Sequence, residues 1–389
     1  MPARRREPLA REEPAELQVA ATNGSIVTDS RGRKYIDFVM GWCVGNFGWR
    51  PAAIAKAIDR FKGPDYVYPG YAYAPWTELA RLLASLAPRP LTTCFRATGG
   101  SEAVDLALQA AMIHTGRRAL LSLEGSYHGN SLAALSIGAS DNRERIKNLL
   151  PHCGKIAPPL DAKALRRIEA RLKRRDVAAF VIEPISINLG VLIPDHDVIR
   201  RVRDTCRRYG TLFIADEVAS GFGRTGRLFA CEHFGLEPDM LCVAKAMTGG
   251  LAPIGAVIAT APIAKSMEQN GTFYSTYGWH PRSVAAAIAT LRDLKANRAR
   301  LLAGVAEMSE YFRVRLLQLE FDRPAAVRIQ GLAIGIDVGD EDYADTIHDT
   351  CRRNGLLVST EGSTVLLLPS LAIDKRTATR GLDILARSI

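Results

Sequence analysis

The chain has 389 residues, of which 47% are hydrophobic and 24% are charged, and its formal net charge is +10. This length exceeds the usual size of one hydrophobic core, so we expect two domains that share an interface. The basic residues alternate with apolar ones, for example over 163–175 and 200–208. That pattern is typical of solvated helix faces, and no aromatic-basic motif for nucleic acid accompanies it. No run of about 18 apolar residues is present, so the sequence predicts no membrane span.

The start of the chain and its cysteines give expectations about location. Arg4–Arg6 are followed by no apolar segment, so we expect no secretory signal and interpret residues 1 to about 18 as a mobile or partner-contacting arm. The seven cysteines are odd in number and have no paired spacing. This favours reduced thiols in a cytoplasmic protein over a disulfide framework or a zinc site, so we expect no bound metal.

The first ninety residues predict a short hairpin and two helices. The segments 25–29 and 31–37 have the pattern of two strands around an Asp-Ser-Arg-Gly turn. One helix follows Pro51, and a second over 78–87 ends before Pro88.

From about residue 91 to 260, apolar runs alternate with amphipathic helices, which indicates βαβ units and a mainly parallel sheet. The apolar runs are Ala119–Leu123, Ala178–Ile182, Thr211–Ala215, Met240–Ala244 and Ile254–Ile258. Beyond Pro281 the pattern predicts a long helix to about Leu317. The last part predicts strands within 325–338 and 355–369, and helices at about 342–353 and 375–388.

We therefore predict an α/β protein with a large domain and a smaller α+β domain made from both chain ends. Residues 1–45 form the N-terminal arm and part of the small domain, residues 46–290 form the large cofactor-binding domain, and residues 291–389 form the C-terminal small domain.

Three of the predicted strands end on a charged residue. These residues are Glu183, Asp216 and Lys245. Buried unpaired charges are costly, so charges that meet at one sheet edge indicate either a polar ligand or a mutual ion-pair network. A lysine and an aspartate there match what pyridoxal phosphate requires, an amine for the Schiff base and a carboxylate for the pyridine nitrogen.

The segment Thr98-Gly-Gly-Ser-Glu102 precedes a helix rich in alanine and leucine. The glycines allow close approach of the backbone, and the helix N-terminus presents free N–H groups to a phosphate. The alternative is an ordinary helix cap, with Thr98 or Ser101 as the N-cap residue.

The segment Ser126-Tyr-His-Gly129 follows the strand that ends at Leu123. Tyr127 there can stack on a flat cofactor with His128 beside it, and the alternative is an aromatic loop cluster. His128 is not a predicted metal ligand, because no partner with ligand spacing lies nearby.

The long segment Asp216-Glu-Val-Ala-Ser-Gly-Phe-Gly-Arg-Thr-Gly226, with residues 229–239 and Ala244-Lys-Ala, closely resembles the class III pyridoxal-phosphate aminotransferases. That family includes ornithine, 4-aminobutyrate and other ω-amino-group transaminases, and the resemblance extends from Asp37 to the C-terminal domain. It implies the fold type I architecture, with a mainly parallel, seven-stranded type of sheet. It also implies pyridoxal 5′-phosphate as cofactor and a homodimer with active sites at the subunit interface.

The resemblance assigns residues around the cofactor ring. Lys245 resembles the Schiff-base lysine, which also acts as the catalytic base, and Asp216 resembles the partner of the pyridinium nitrogen. Val218 would pack on one ring face and Tyr127 on the other, with His128 beside the cofactor.

The resemblance also assigns the phosphate and substrate sides. Gly100 and Ser101 match the positions of the phosphate cup, and Thr276 matches a threonine that reaches the phosphate from the neighbouring subunit. Glu183 matches a position beneath the substrate side.

Two positions depart from the family pattern. Members that bind an α-carboxylate usually carry an arginine where this chain has Leu366, and a gating glutamate where it has Asn188. We therefore hypothesise that one substrate lacks an α-carboxylate at that subsite, or that another arginine binds it. Arg50 is the candidate for that second role, with a surface loop residue as the alternative. Trp42 and Tyr68 would make the amine side of the pocket aromatic, with core packing as the alternative.

The resemblance implies transfer of an amino group between a primary amine or ω-amino compound and a 2-oxo acid, in two ping-pong half-reactions through Lys245. Besides the second subunit of the homodimer, we expect a small-molecule amine donor and an oxo-acid acceptor as partners, with no nucleic acid and no membrane. Aminomutases, racemases, and decarboxylases or lyases are alternatives on the same scaffold, and a non-catalytic homologue is an alternative of another class.

Overall fold

The computed structural model describes residues 17–389, so the arm predicted at residues 1 to about 18 lies almost entirely outside the described residues. In the described part no helix combines the length and apolar character needed to cross a membrane.

A seven-stranded sheet forms the centre of the large part of the molecule, which confirms the predicted mainly parallel α/β architecture. In spatial order its strands are Thr93–Ala97, Gly255–Ala259, Met240–Val243, Leu212–Asp216, Val177–Ile182, Ala119–Leu123 and Cys153–Ile156. The last five run parallel, and Gly255–Ala259 is antiparallel to both of its neighbours. All six residues of Val177–Ile182 are buried, because helices cover both faces of such a sheet.

Helices flank this sheet, and local sequence explains their ends. Asp195 caps the helix His196–Tyr209 by accepting hydrogen bonds from the N–H groups of Asp197 and Val198, and Gly210 ends that helix in the left-handed conformation. The helix predicted from residue 78 begins at Ala74, because a proline suits the first helical turn. The flanking helices are Ala52–Asp59, Ala74–Leu86, Gly100–Thr115, Leu132–Ser136, Asn142–Arg145, Ala162–Leu172, His196–Tyr209 and Ala261–Asn270, with short 3₁₀ helices at Ile187–Leu189, Ala230–Phe234 and Lys245–Thr248.

Two smaller sheets join the ends of the described chain. The first contains Val19–Asn23, Ile26–Asp29, Lys34–Asp37 and Leu356–Leu357, and its last two strands are parallel. The second contains Ala326–Gln330, Ala333–Asp337, Thr364–Leu367 and Ser359–Glu361 in antiparallel order. The helices Glu341–Arg353 and Lys375–Ala386 belong to the same part of the chain.

One long helix, Pro281–Leu316, connects two hydrophobic cores. Its first half, with Val284 and Leu291, packs in the core of the seven-stranded sheet, and its second half, with Val305 and Phe312, packs in the core of the smaller sheets. The helix passes the predicted boundary at 290/291 without a break, and the domain boundaries stay a prediction.

Candidate active site

Two adjoining cavities lie beside the predicted strand-end charges. The smaller cavity has a volume of about 350 Å³ and is lined by Glu183, Asp216 and Lys245. The larger cavity, of about 560 Å³, extends to Trp42 and Glu361. Five residues line both cavities, so the two form one continuous site: Tyr127, His128, Gly129, Asn188 and Lys245.

The register of the sheet brings the three charged residues together. Ile182 pairs with Ala215, and Asp216 pairs with Cys242. Glu183 directly follows the first of these strands, and Lys245 follows the third by two residues. Because carboxyl ends of parallel strands share one sheet edge, the three side chains converge there.

The backbone at Lys245 is strained. Its φ is 43°, in the left-handed region that side chains other than glycine rarely adopt, and it begins the 3₁₀ helix that Gly249 ends. Strain of this kind persists only where the surrounding structure imposes it, and it is concentrated at functional sites.

Asp216 is buried and held by two donors. His128 Nδ1 donates to its Oδ2 at 2.7 Å, and the backbone N–H of Val218 donates to its Oδ1 at 3.1 Å. The other ring nitrogen, Nε2 of His128, is buried and has no hydrogen-bond partner among the described residues. The carboxylate is therefore fixed in orientation at the edge of the smaller cavity.

The helix N-terminus at Gly100 fits an anion. Its N-cap residue is Gly99, and no side chain caps the first turn, so the alternative of Thr98 or Ser101 as an ordinary N-cap is wrong. Glu102 instead bonds back to Thr98. The first-turn N–H groups consequently stay available to a phosphate.

At two positions of this part of the site, only glycine fits between the neighbouring atoms. A Cβ on Gly100 would lie 2.9 Å from Cγ1 of Val218, and a Cβ on Gly129 would lie 2.4 Å from Oγ of Ser101. Together with the unpartnered nitrogen of His128, an uncapped helix N-terminus and an amine beside a carboxylate, this cradle suits a flat phosphorylated cofactor. Tyr127 and Val218 also line the smaller cavity.

Glu183 is buried and paired with Asn188. Asn188 Nδ2 donates to Oε1 of Glu183 at 2.8 Å, and the backbone N–H of Ile187 donates to Oε2 at 3.2 Å. Burial, and next the negative charge of Asp216, raise the pKa of Glu183 to about 8. At neutral pH this side chain is therefore mainly a neutral carboxylic acid.

Trp42 reaches the larger cavity from a left-handed turn. Four consecutive residues, Met40 to Cys43, have φ between 48° and 69°. Asp37 stabilises the turn, since its Oδ1 accepts from the N–H groups of Val39 and Met40 at 2.8 Å each. Its Oδ2 accepts from Nε1 of Trp49 at 2.7 Å. Only Gly41 hints at this conformation in the sequence, because left-handed geometry is costly for the other three residues.

Four residues singled out in the sequence line neither cavity. Arg50 is exposed and lies 3.5 Å from Asp59, so the structure does not bring it to the site. Leu366 is buried in the core of the seven-stranded sheet. Thr276 and Tyr68 are exposed on this chain.

Four polar residues of the larger cavity were not found by sequence reasoning. They are Asn130, Asp141, Asn142 and Glu361. Asp141 and Asn142 lie at the start of a four-residue helix and Glu361 ends a three-residue strand, so no motif marks them.

Comparison with known proteins places this geometry in context. Residues 9–389 match the family model of the class III aminotransferases. The acetylornithine aminotransferase of Methanosarcina mazei is 34% identical over 375 residues, which covers 96% of this chain and 91% of that protein. The putrescine aminotransferase of Pectobacterium atrosepticum is 31% identical over 374 residues, which covers 92% of this chain and 79% of that protein.

Solved structures share the fold. The ornithine aminotransferase of Toxoplasma gondii, which has partial occupancy of PLP at its active site, superposes with a TM-score of 0.88 at 25% identity, over 97% of this chain and 91% of that chain. The ω-transaminase of Pseudomonas jessenii in complex with PMP superposes with a TM-score of 0.89 at 23% identity, over 96% of this chain and 92% of that chain.

Proposed function

We propose, since this chain belongs to the class III aminotransferases, that it transfers an amino group from a primary amine or ω-amino compound to a 2-oxo acid, with pyridoxal 5′-phosphate as cofactor. One observation carries the proposal: Lys245, Asp216 and the uncapped helix N-terminus at Gly100 line a single cavity. An amine, a fixed carboxylate and an anion site are the three groups that this cofactor requires.

Each part of the cofactor would have a partner in this cavity. The bound cofactor supplies a ring that accepts electrons from the reacting carbon. Asp216 would keep the ring nitrogen protonated, since His128 and the Val218 N–H fix its carboxylate. Gly100 and Ser101 would hold the phosphate, and Tyr127 and Val218 would contact the ring.

Lys245 would hold the cofactor covalently through Nζ and move the proton of the reaction. Once the substrate amine releases it, its free Nζ would take the proton from the carbon that bears the amino group and deliver it to the cofactor carbon that Lys245 had held. In the second half-reaction Nζ would move a proton from that cofactor carbon to the carbon of the oxo acid. The strained backbone holds this amine at the edge of the sheet.

We also propose that the active protein is a homodimer. Five tyrosines are 41% to 69% exposed and lie in two segments of the chain, Tyr66, Tyr68 and Tyr71 in the first and Tyr274 and Tyr277 in the second. Ring contacts join Tyr66 to Tyr277 and Tyr68 to Tyr71. Exposed aromatic patches of this kind mark interfaces. Thr276 lies within this patch, and in a dimer it would reach the phosphate of the other subunit.

A cytoplasmic location is the last part of the proposal. All seven cysteines lie in the described residues and are free thiols, as in proteins of reducing compartments.

The test is a single half-reaction. The purified protein with bound cofactor is mixed with an amine donor in the absence of an oxo acid. We expect one equivalent of carbonyl product and conversion of the cofactor to its amine form, followed in the visible absorption spectrum. A racemase, aminomutase or lyase would turn over without that stoichiometric conversion. Lys245→Ala is expected to abolish the reaction, and unchanged turnover in that variant would overturn the assignment.

A further inference from the structure

The loop that holds Glu183 also contacts a second sheet. Both donors to the Glu183 carboxylate come from the 3₁₀ helix Ile187–Leu189, namely the side chain of Asn188 and the backbone N–H of Ile187. Glu183 and Asn188 line the smaller cavity together with Lys245. The position of this short helix therefore sets which groups face Lys245 from that side.

The end of this loop is strained. Gly190 and Val191 have φ angles of 68° and 58°, and the second value is rare for a β-branched residue. Ser186 and Leu192 close the loop with two backbone hydrogen bonds of 3.0 Å. Backbone strain of this kind persists only where the surrounding structure imposes it. Contacts from outside the loop are therefore part of what holds Asn188 in place.

Three neighbouring strands of the second smaller sheet meet at the peptide of Gly190. Nε of Arg328 donates to the carbonyl oxygen of Gly190 at 2.9 Å. A Cβ on Gly335 would lie 2.4 Å from the same oxygen, and a Cβ on Gly190 would lie 2.8 Å from Oγ1 of Thr364. Arg328 pairs with Gly335 in the register of the sheet, and Gly335 pairs with Leu366. The sheet thus contacts this loop at one peptide, through a hydrogen bond and close backbone packing.

Arg328 is itself fixed within that sheet. Its guanidinium donates to Oγ1 of Thr364 at 3.2 Å and lies 3.4 Å from Oδ2 of Asp337. Asp337 accepts in turn from the hydroxyl of Ser363 and the N–H of Gly339. Since all three nitrogens of the planar guanidinium have partners, Arg328 forms a rigid link between the sheet and the loop. It lines neither cavity, so it can act on the site only through the loop.

Glu183 is sensitive to the position of the loop. Burial, and next the charge of Asp216, raise the pKa of Glu183, whereas Lys245 lowers it. Among the described residues, Asp216 and Lys245 are the charged groups that face Glu183, and His128 faces Asp216. The two hydrogen bonds from the loop also lower the pKa of Glu183, because they favour the ionised carboxylate. If the loop moved away with its donors, Glu183 would stay protonated to higher pH.

We propose that Arg328 is a positioning residue of the amino-transfer reaction, which sets through Gly190 where Asn188 and Glu183 lie beside Lys245. The inference rests on the proposed function, because Lys245 is the reacting group of that function. A displacement of the second smaller sheet against the seven-stranded sheet would reach the site through the hydrogen bond from Arg328 to Gly190.

The first measurement does not depend on activity. Arg328→Met removes the donor to Gly190 and keeps a long, unbranched side chain. We expect amide hydrogen exchange over residues 186–192 of the full-length protein to become about tenfold faster. The matched control is Arg323→Met, which removes an exposed arginine that is paired with Asp340. Exchange over 186–192 should not change in that control.

The second measurement separates positioning from a loss of stability. The visible absorbance of the bound cofactor is titrated with pH in the wild type, Arg328→Met, Glu183→Gln and the double variant. We expect Arg328→Met to move the midpoint that Glu183→Gln lacks upward by about one pH unit. In the Glu183→Gln background Arg328→Met should move no midpoint. Arg328→Lys, which keeps a donor near Gly190, should restore part of the shift.

Gly335→Ala reaches the same contact from the next strand and replaces Arg328→Met if that variant does not fold. Its methyl group would displace the peptide of Gly190 without removing a charge, so we expect faster exchange over 186–192 and the same upward shift.

Unchanged exchange over 186–192 in both Arg328→Met and Gly335→Ala overturns the positioning role. A midpoint shift of equal size with and without Glu183 overturns it as well. A protein that binds the cofactor but gives no stoichiometric carbonyl product from any amine donor contradicts the proposed function instead, while both readouts of Arg328 stand.

Discussion

Nδ1 of His128 lies 2.7 Å from Oδ2 of Asp216, and both side chains are buried. The second carboxylate oxygen accepts the N–H of Val218. His128 therefore acts as a positioning residue that sets the orientation of the carboxylate, while its Nε2 remains without a partner in the described structure.

The pair leads to a prediction about Asp216. Asp216→Asn should lower kcat/KM by at least about 100-fold, because an amide cannot keep the ring nitrogen protonated. His128→Gln should lower kcat/KM less, because the Asp216 carboxylate remains and loses only the hydrogen bond from Nδ1 of His128. Kinetics and a spectroscopic titration of cofactor affinity would measure both effects. Equal losses in the two variants would contradict the separate roles.

The raised pKa of Glu183 predicts a dependence of stability on pH. Its pKa rises from 4.5 to about 8, first by burial and then by the charge of Asp216. The folded state thus binds this proton more tightly than the unfolded state. The resulting stabilisation is complete below about pH 4.5 and is lost as the pH rises towards 8.

Glu183→Gln, which cannot ionise, should therefore gain stability relative to the wild type between pH 5 and pH 9. The gain is at most about 1.4 kcal/mol for each pKa unit of the shift. Unfolding of both holoenzymes across this pH range measures it. Glu310→Gln, an exposed residue, is the control and should change little with pH. A constant difference between Glu183→Gln and wild type at all pH values would show that Glu183 does not titrate in this way.

The contact at Gly100 predicts a cofactor-binding defect. Gly100→Ala places a methyl group 2.9 Å from Val218, so one of the two must move and the phosphate site widens. We expect cofactor affinity to fall about tenfold, or roughly 1.4 kcal/mol, and to recover in part when Val218→Ala is added. Equilibrium dialysis measures the affinity.

Gly304→Ala is the control for that experiment. A Cβ at Gly304 meets no atom within 4 Å, and the residue lies inside the helix Pro281–Leu316. This variant should be more stable by about 0.5–1 kcal/mol and bind the cofactor normally. A similar loss of affinity in both variants would exclude the steric explanation.

The left-handed turn predicts that Asp37 controls donor binding through Trp42. Asp37→Ala removes the acceptor of two backbone N–H groups. We expect the turn to leave its left-handed conformation, so that Trp42 no longer lines the larger cavity. KM for the donor should rise about tenfold or more while kcat changes less, at a cost in stability of about 1–3 kcal/mol. Trp49→Phe removes the hydrogen bond to Oδ2 and part of the ring that packs beside Gly41, but it leaves Oδ1 and its two backbone donors intact, so it should have a smaller effect on KM. A fall in kcat with unchanged KM would contradict this role.

The strand-end residues that line the candidate site could be predicted from the sequence. Lys245, Asp216 and Glu183 each follow an apolar run, and a buried parallel strand needs such a run whatever its neighbours are. The strand at Ala119–Leu123 has the predicted ends, and the others differ by one residue or two. The glycines before the helix at Gly100 also indicated a helix N-terminus that could accept a phosphate. The sequence did not identify Gly99 as its N-cap residue.

The substrate side depended on tertiary structure alone. Arg50 is near the candidate segment in sequence but lies at the surface with Asp59. Glu361, more than 300 residues away from Trp42 in sequence, shares a cavity with it. Local patterns determine strands, helix ends and the chemistry at each strand end, because these follow from neighbouring residues. Which side chains face a substrate was decided by the strained turn at Trp42 and the packing of distant segments, since both depend on backbone conformations and contacts that no short sequence pattern encodes.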